Sequence, residues 1–132
     1  MEFQARLIFS ISGNFNPNIA ARIIALKGAE IFTKGEPIFQ DRKLPIAKYN
    51  RVTVQQVLKP GFELDAEARR FICKFPPTKI KKIKGLKKIS ITCEIYCSSG
   101  MDLRNCILSL NPLTLAELAK RNLVFQFEVY FP

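Results

Sequence analysis

The chain has 132 residues, 48% of them hydrophobic and 24% charged, with a formal net charge of +10 and neither histidine nor tryptophan. That composition excludes a polar disordered chain, and the length predicts a single domain, residues 1–132, burying roughly two-thirds of its unfolded surface. No apolar run approaches the ~20 residues that cross a bilayer, and the opening MEFQARLIF lacks a charged region followed by an apolar one, so a soluble, cytoplasmic chain with no membrane contact is expected.

In chain order, Phe3, Ala5, Leu7, Phe9 and Ile11 alternate with Gln4, Arg6, Ser10 and Ser12, interrupted only by Ile8. This predicts a strand with one core face and one wet or lightly covered face, ending at Gly13. Asn16 and Pro17 then hold the N-cap and first-turn positions of a helix running to about Lys27. Ile19, Ile23 and Leu26 form its apolar stripe, and Gly28 is its left-handed stop. AEIFTKGEP reads as a short strand and a turn over Lys34 to Pro37. The loop from Ile38 to Lys48 shows no period, and KYNRVTVQQV is a strand in which Val52 and Val54 share a face.

Asp65 is placed to cap a second helix carrying Ala68, Phe71, Ile72 and Phe75 at helical spacing. Pro76 and Pro77 break it, and a helical piece from Pro77 to Lys84 is expected, with Ile80 and Ile83 inward and Gly85 as its stop. Ile89, Ile91, Cys93, Ile95 and Cys97 point inward from the next strand, and Ser90, Thr92, Glu94 and Tyr96 outward. SSGMD reads as a turn or bulge, and Cys106 to Leu110 as a short strand. Asn111 and Pro112 repeat the Asn-Pro start on a last helix, with Leu110 and Leu115 at staple positions and Leu115, Leu118 and Ala119 as its buried stripe. Asn122 closes it. The final strand, with Phe125, Phe127, Val129 and Phe131, is apolar enough to be placed inside the sheet. Together these elements predict an α+β fold: a mostly antiparallel sheet with helices packed on one face, built from pseudo-duplicated strand-helix-strand units of ferredoxin-like type.

The stretches IFSISG, FNPNIAARII and KGEP at one end, and LSLNPLTLAELAKRNLVFQFEVYF at the other, resemble the bacterial domain of unknown function four-two-seven-nine family. The resemblance covers roughly the first 36 and last 45 residues. It departs from the family pattern in lacking a tryptophan in the middle strands. The resemblance implies a small cytoplasmic α+β domain without an agreed activity, some members being encoded near polymorphic toxins as immunity proteins are. It carries over no catalytic residue.

The residues themselves point away from catalysis. Without histidine there is no Ser-His-Asp or Cys-His arrangement, the glycines form no phosphate-cradling loop, and Asp65 with Glu67 reads as a favourable first-turn charge pair. Of four cysteines, Cys93, Cys97 and Cys106 fall on apolar faces, with no Cys-x-x-Cys spacing for zinc, so no metal and no cofactor are expected. Cys73 falls off the apolar stripe beside Arg69, Arg70 and Lys74, where cations stabilise a thiolate, although a half-buried thiol is the simpler reading.

The charge is concentrated. Arg69, Arg70, Lys74, Lys79, Lys81, Lys82, Lys84, Lys87 and Lys88 lie in one twenty-residue segment without an acidic residue, leaving twelve of the 21 basic residues against 11 acidic ones elsewhere. Such a segment fits a module that docks an acidic protein partner such as a toxin, with Phe39, Tyr49 and Tyr96 as candidate aromatic contacts. It also fits sequence-independent nucleic-acid binding, although no aromatic interrupts Thr78 to Lys88.

Overall fold

The alternation along the first strand becomes the core face of a five-stranded sheet in the computed structural model, which describes residues 4–24, 28–39, 41–97 and 109–131. β1 (Gln4–Gly13) buries Ala5, Leu7, Phe9 and Ile11 and lies antiparallel between β3 (Asn50–Leu58) and β4 (Leu86–Tyr96). The registers Phe9↔Val54 and Phe9↔Ile91 align the apolar residues of all three strands. β2 (Glu30–Phe32) adds antiparallel to β3 and β5 (Val124–Tyr130) parallel to β4, giving the order β2-β3-β1-β4-β5. The expected strand from Cys106 to Leu110 falls mostly outside the described residues, as do Phe3, Leu26, Lys27 and Cys106.

Four helices, α1 (Pro17–Ile24), α2 (Leu64–Ile72), α3 (Pro77–Ile80) and α4 (Pro112–Lys120), supply the layer over that face. The fold is therefore α+β, with a mostly antiparallel sheet. Its first part follows the β-α-β-β-α-β succession of ferredoxin-like folds, with α3 inserted and α4-β5 appended. Both Asn-Pro starts are true caps. Asn16 Oδ1 accepts from the Asn18 and Ile19 amides at 3.0 and 3.2 Å, and Asn111 Oδ1 from the Leu113 amide at 2.9 Å. Each capped helix leads to an edge strand, α1 to β2 and α4 to β5.

α2 buries Ala68, Phe71 and Ile72 as its spacing predicts, and a tight turn after it, with Phe75 N–H bonded to Ile72 O at 3.0 Å, swings Phe75 onto the sheet. The Phe75 ring stacks on Phe9 with centroids 3.8 Å apart and meets Phe71 edge-on at 5.2 Å. α3 is shorter than expected, but Ile80 and Ile83 are buried and Gly85 is left-handed.

Three faces differ from the expectation. α1 buries Pro17, Ala20 and Ile24, while Ile19 is exposed, because the small Ala20 lets the helix approach the sheet on that side. α4 buries Thr114, Leu118 and Arg121 instead of Leu115, Leu118 and Ala119. Polar contacts to α2 turn it. Arg121 donates from Nε to Phe75 O at 2.8 Å and from Nη1 to Glu117 at 2.9 Å, so its guanidinium is buried but satisfied. β5 is an edge strand, not an interior one: among the described residues it pairs only with β4, and Phe127 and Val129 stay exposed. Apolar content reports which faces favour burial and not whether a strand's second hydrogen-bonding edge is occupied.

Asp65 does not cap its own helix, whose N-cap is Glu63 without a side-chain bond. It reaches across to α4, accepting from the Asn111 amide and the Thr114 hydroxyl, both at 2.7 Å, and pairing with Arg69. Those donors, the Asn111 N–H first, hold its carboxyl below the usual range. The clasp is therefore fully formed above the unfolded carboxylate pKa of about 3.9 and weakens as pH falls through the lower folded value. The urea midpoint of Asp65→Asn should trail that of wild type at about pH 7, with the gap closing towards about pH 2.5. A gap independent of pH would remove the clasp from the account.

Candidate functional site

The nine basic residues between Arg69 and Lys88 do not share one surface. Arg69, Arg70 and Lys74 belong to the helical layer and are engaged there. Arg69 bonds Asp65 and the Thr114 hydroxyl, Arg70 pairs with Glu67, and Lys74 Nζ donates to Gln56 at 3.0 Å while lying 5.8 Å from the Phe71 ring. These three stabilise α2 against its neighbours. Beyond α2 the character changes: Lys79 is partly covered, and Lys81, Lys82, Lys84, Lys87 and Lys88 are exposed. Among the described residues none of these six is paired with a carboxylate.

A bulge decides where the last two point. Strict alternation back from Ile89 would send Lys87 into the core. Ser12 pairs with Lys88 and Gly13 with Leu86, so Lys87 is the extra residue, Leu86 takes the inward position and both lysines face outward. Lys87 Nζ sits 5.0 Å from the exposed Tyr49 ring. An aromatic thus joins the basic segment from a distant part of the chain. Tyr49 directly follows the loop from Ile38 to Lys48 that showed no period, and precedes β3 instead of opening it. That loop is pinned by paired backbone bonds, Gly35 N–H to Ala47 O at 2.9 Å and Ala47 N–H to Glu36 O at 2.8 Å, and contains a cis Leu44-Pro45 bond. Asn50 ties its ends, accepting from the Lys34 amide at 2.7 Å and donating to Phe15 O at 2.8 Å.

The loop walls one side of a cleft of about 540 Å³ on the sheet's second face, which no helix covers among the described residues. The register orders its floor in rows. Arg51, Ser12 and Lys88 lie abreast, then Glu30, Thr53, Ser10 and Ser90, then Gln55, Ile8, Thr92 and Gln126. A further row sets Arg6 beside Glu94 and Glu128. The cleft is therefore cationic at one end, hydroxyl-lined in the middle and acidic at the other. At the acidic end buried Glu94 accepts from Arg6 and from the Tyr96 hydroxyl at 3.1 Å. The Tyr130 hydroxyl donates to Glu128 at 2.6 Å, which raises the phenol pKa and keeps it protonated. Tyr96 and Tyr130 stack at 5.0 Å. At the cationic end the Arg51 guanidinium lies over Phe32 at 4.4 Å.

The cysteines divide as their positions suggest. Cys93 is buried on the core face, where desolvation pushes its thiol up to about 11, and Cys97 is also buried, whereas Cys73 is exposed at the end of α2 and not half-buried. Among the described residues no cluster of three or more potential ligands is placed to hold a metal ion, and no helix is long and apolar enough to cross a membrane. Compared with family models, curated proteins and solved structures, the chain finds no match. The row order of the cleft was beyond sequence reasoning, because it depends on strand register. Part of its signal was nonetheless present, in Ser10, Ser12, Ser90 and Thr92 among the outward positions of β1 and β4.

Proposed function

We propose that the chain is a non-catalytic protein-binding module that docks an acidic partner through the lysines from the end of α3 to the start of β4 and the adjoining Tyr49. One contrast carries the reading. The cations on and just after α2 are engaged with their own fold, whereas Lys81, Lys82, Lys84, Lys87 and Lys88 stand exposed and, among the described residues, without a carboxylate. Lysines held apart from internal pairs keep their field for an incoming surface, where complementary charge speeds encounter more than it tightens the complex. The resemblance at the chain ends points to an immunity-type protein whose partner is a toxin. A cytoplasmic location belongs to the same reading.

The test is association with the acidic product of an adjacent gene. Changing Lys79, Lys81, Lys82 and Lys84 to Ser should slow association about tenfold or more at low salt, with little difference at high salt. Loss of complex formation with no salt dependence would argue against an electrostatic dock. The Tyr49–Lys87 contact supports a second reading, sequence-independent nucleic-acid binding, because an exposed ring beside cations is a stacking platform. Retention on DNA at ~150 mM salt, abolished in the same variant, together with no protein complex, would favour it.

A further inference from the structure

We infer that the cleft on the open sheet face is a binding site for a small hydroxylated anion, its carboxylate or phosphate seated between Arg51 and Lys88 above Ser12. This goes beyond the docking surface. It rests on the strand register and on one unsatisfied donor. Ser12 pairs with Arg51 on one side and Lys88 on the other, so the two cationic side chains rise from strands roughly 9–10 Å apart and flank a hydroxyl. Neither cation has a carboxylate partner among the described residues. Arg51 is held in place before any ligand arrives, its guanidinium lying over Phe32. Its Nε is buried and has no acceptor among the described residues. A buried N–H without an acceptor is costly, and an oxygen of a bound anion supplies what the fold leaves out.

The rest of the cleft defines the body and direction of the ligand. At about 540 Å³ the cavity is in the size range of small-molecule sites, roughly 300–1,000 Å³. Ser10, Thr53, Ser90 and Thr92 line its middle, offering donors and acceptors to hydroxyl groups. Glu94 and Glu128 stand about 20 Å further along the strands, six residues from the Ser12 row; with only Arg6 against them among the described residues, that end disfavours an anion, and Glu30, two residues along from the Arg51 row, disfavours one in the middle. The charged group is thus confined to the Arg51–Lys88 end.

The probes are inorganic phosphate and sodium gluconate, a hydroxylated carboxylate, titrated into ¹⁵N-labelled protein against sodium chloride at matched ionic strength. Saturable amide shifts at Ser12, Thr53, Lys88 and Ser90 are expected with at least one probe. Saturation by phosphate alone identifies a phosphate ligand, and by gluconate alone a carboxylate. Arg51→Gln and Lys88→Gln should each weaken binding about tenfold or more, the scale of one charge-assisted hydrogen bond. Lys81→Gln with Lys82→Gln should leave it unchanged, which separates this site from the docking surface. Lys88 is exposed, so its variant keeps the test available if Arg51→Gln fails to fold. Shifts that match sodium chloride, or that persist in Lys88→Gln, overturn the assignment.

Discussion

Phe75→Ala is expected to lower the free energy of unfolding by about 4 kcal/mol, and Phe75→Leu by about 1.5 kcal/mol, measured from urea denaturation. The ring is wholly buried, stacked on Phe9 at 3.8 Å and edge-on to Phe71. Truncation therefore removes both its transfer free energy and its aromatic contacts, leaving a cavity between α2 and the centre of β1. The same residue's carbonyl accepts from Arg121, so a shift of this turn also disturbs the anchor of α4. Because the open cleft lies on the other face of β1, Phe75→Leu should leave phosphate or gluconate binding at Arg51 and Lys88 unchanged. A loss below about 1 kcal/mol for Phe75→Ala would mean that the helical layer closes over the gap, at odds with a densely packed core.

Gly85→Ala is the second large expected loss, on the order of 3 kcal/mol or more, and its cause is backbone geometry. Gly85 has φ +86°, and a Cβ there would overlap the Asn14 carbonyl oxygen. The Asn14 amide bonds Gly85 O at 2.8 Å, so these two backbones cannot separate without breaking that bond. Gly61 is the control. It is also left-handed, at φ +77°, but a Cβ there meets nothing within 4 Å. Gly61→Ala should therefore cost only the conformational part, about 1–2 kcal/mol. Equal losses at the two positions would show that the close approach contributes nothing. Since Gly85 begins the stretch that delivers Lys87 and Lys88 to the surface, its substitution should also weaken anion binding in the cleft.

Much of this architecture was legible in the chain. The alternation of β1 and β4, the α2 stripe ending at Phe75, the paired Asn-Pro caps and the left-handed backbone at Gly28, Gly85 and Asn122 all depend on local geometry that neighbouring residues specify. The faces of α1 and α4 were less legible, because several apolar stripes compete on a short helix and tertiary contacts choose among them. For α4 the choice fell to Thr114 and Arg121, polar residues whose partners lie more than forty positions away. Asp65 illustrates the same limit. Local rules make it a cap for α2, whereas the fold uses it to receive donors from α4.

The candidate sites divide along the same line. The density of positive charge between Arg69 and Lys88 is a property of the sequence alone, as are the outward hydroxyls of β1 and β4 and the absence of histidine. Arg69 and Arg70 find Asp65 and Glu67 one turn back on their own helix, a pairing that sequence spacing already allows, whereas tertiary structure alone brought Thr114 to Arg69 and Gln56 to Lys74. It also set Arg51, Ser12 and Lys88 abreast and brought Tyr49 to Lys87. The physical reason is range: caps, stripes, alternation and charge pairs one helical turn apart are fixed within a few residues of chain, whereas register, the bulge at Lys87 and contacts such as Tyr49 with Lys87 depend on strands and helices joined across long separations.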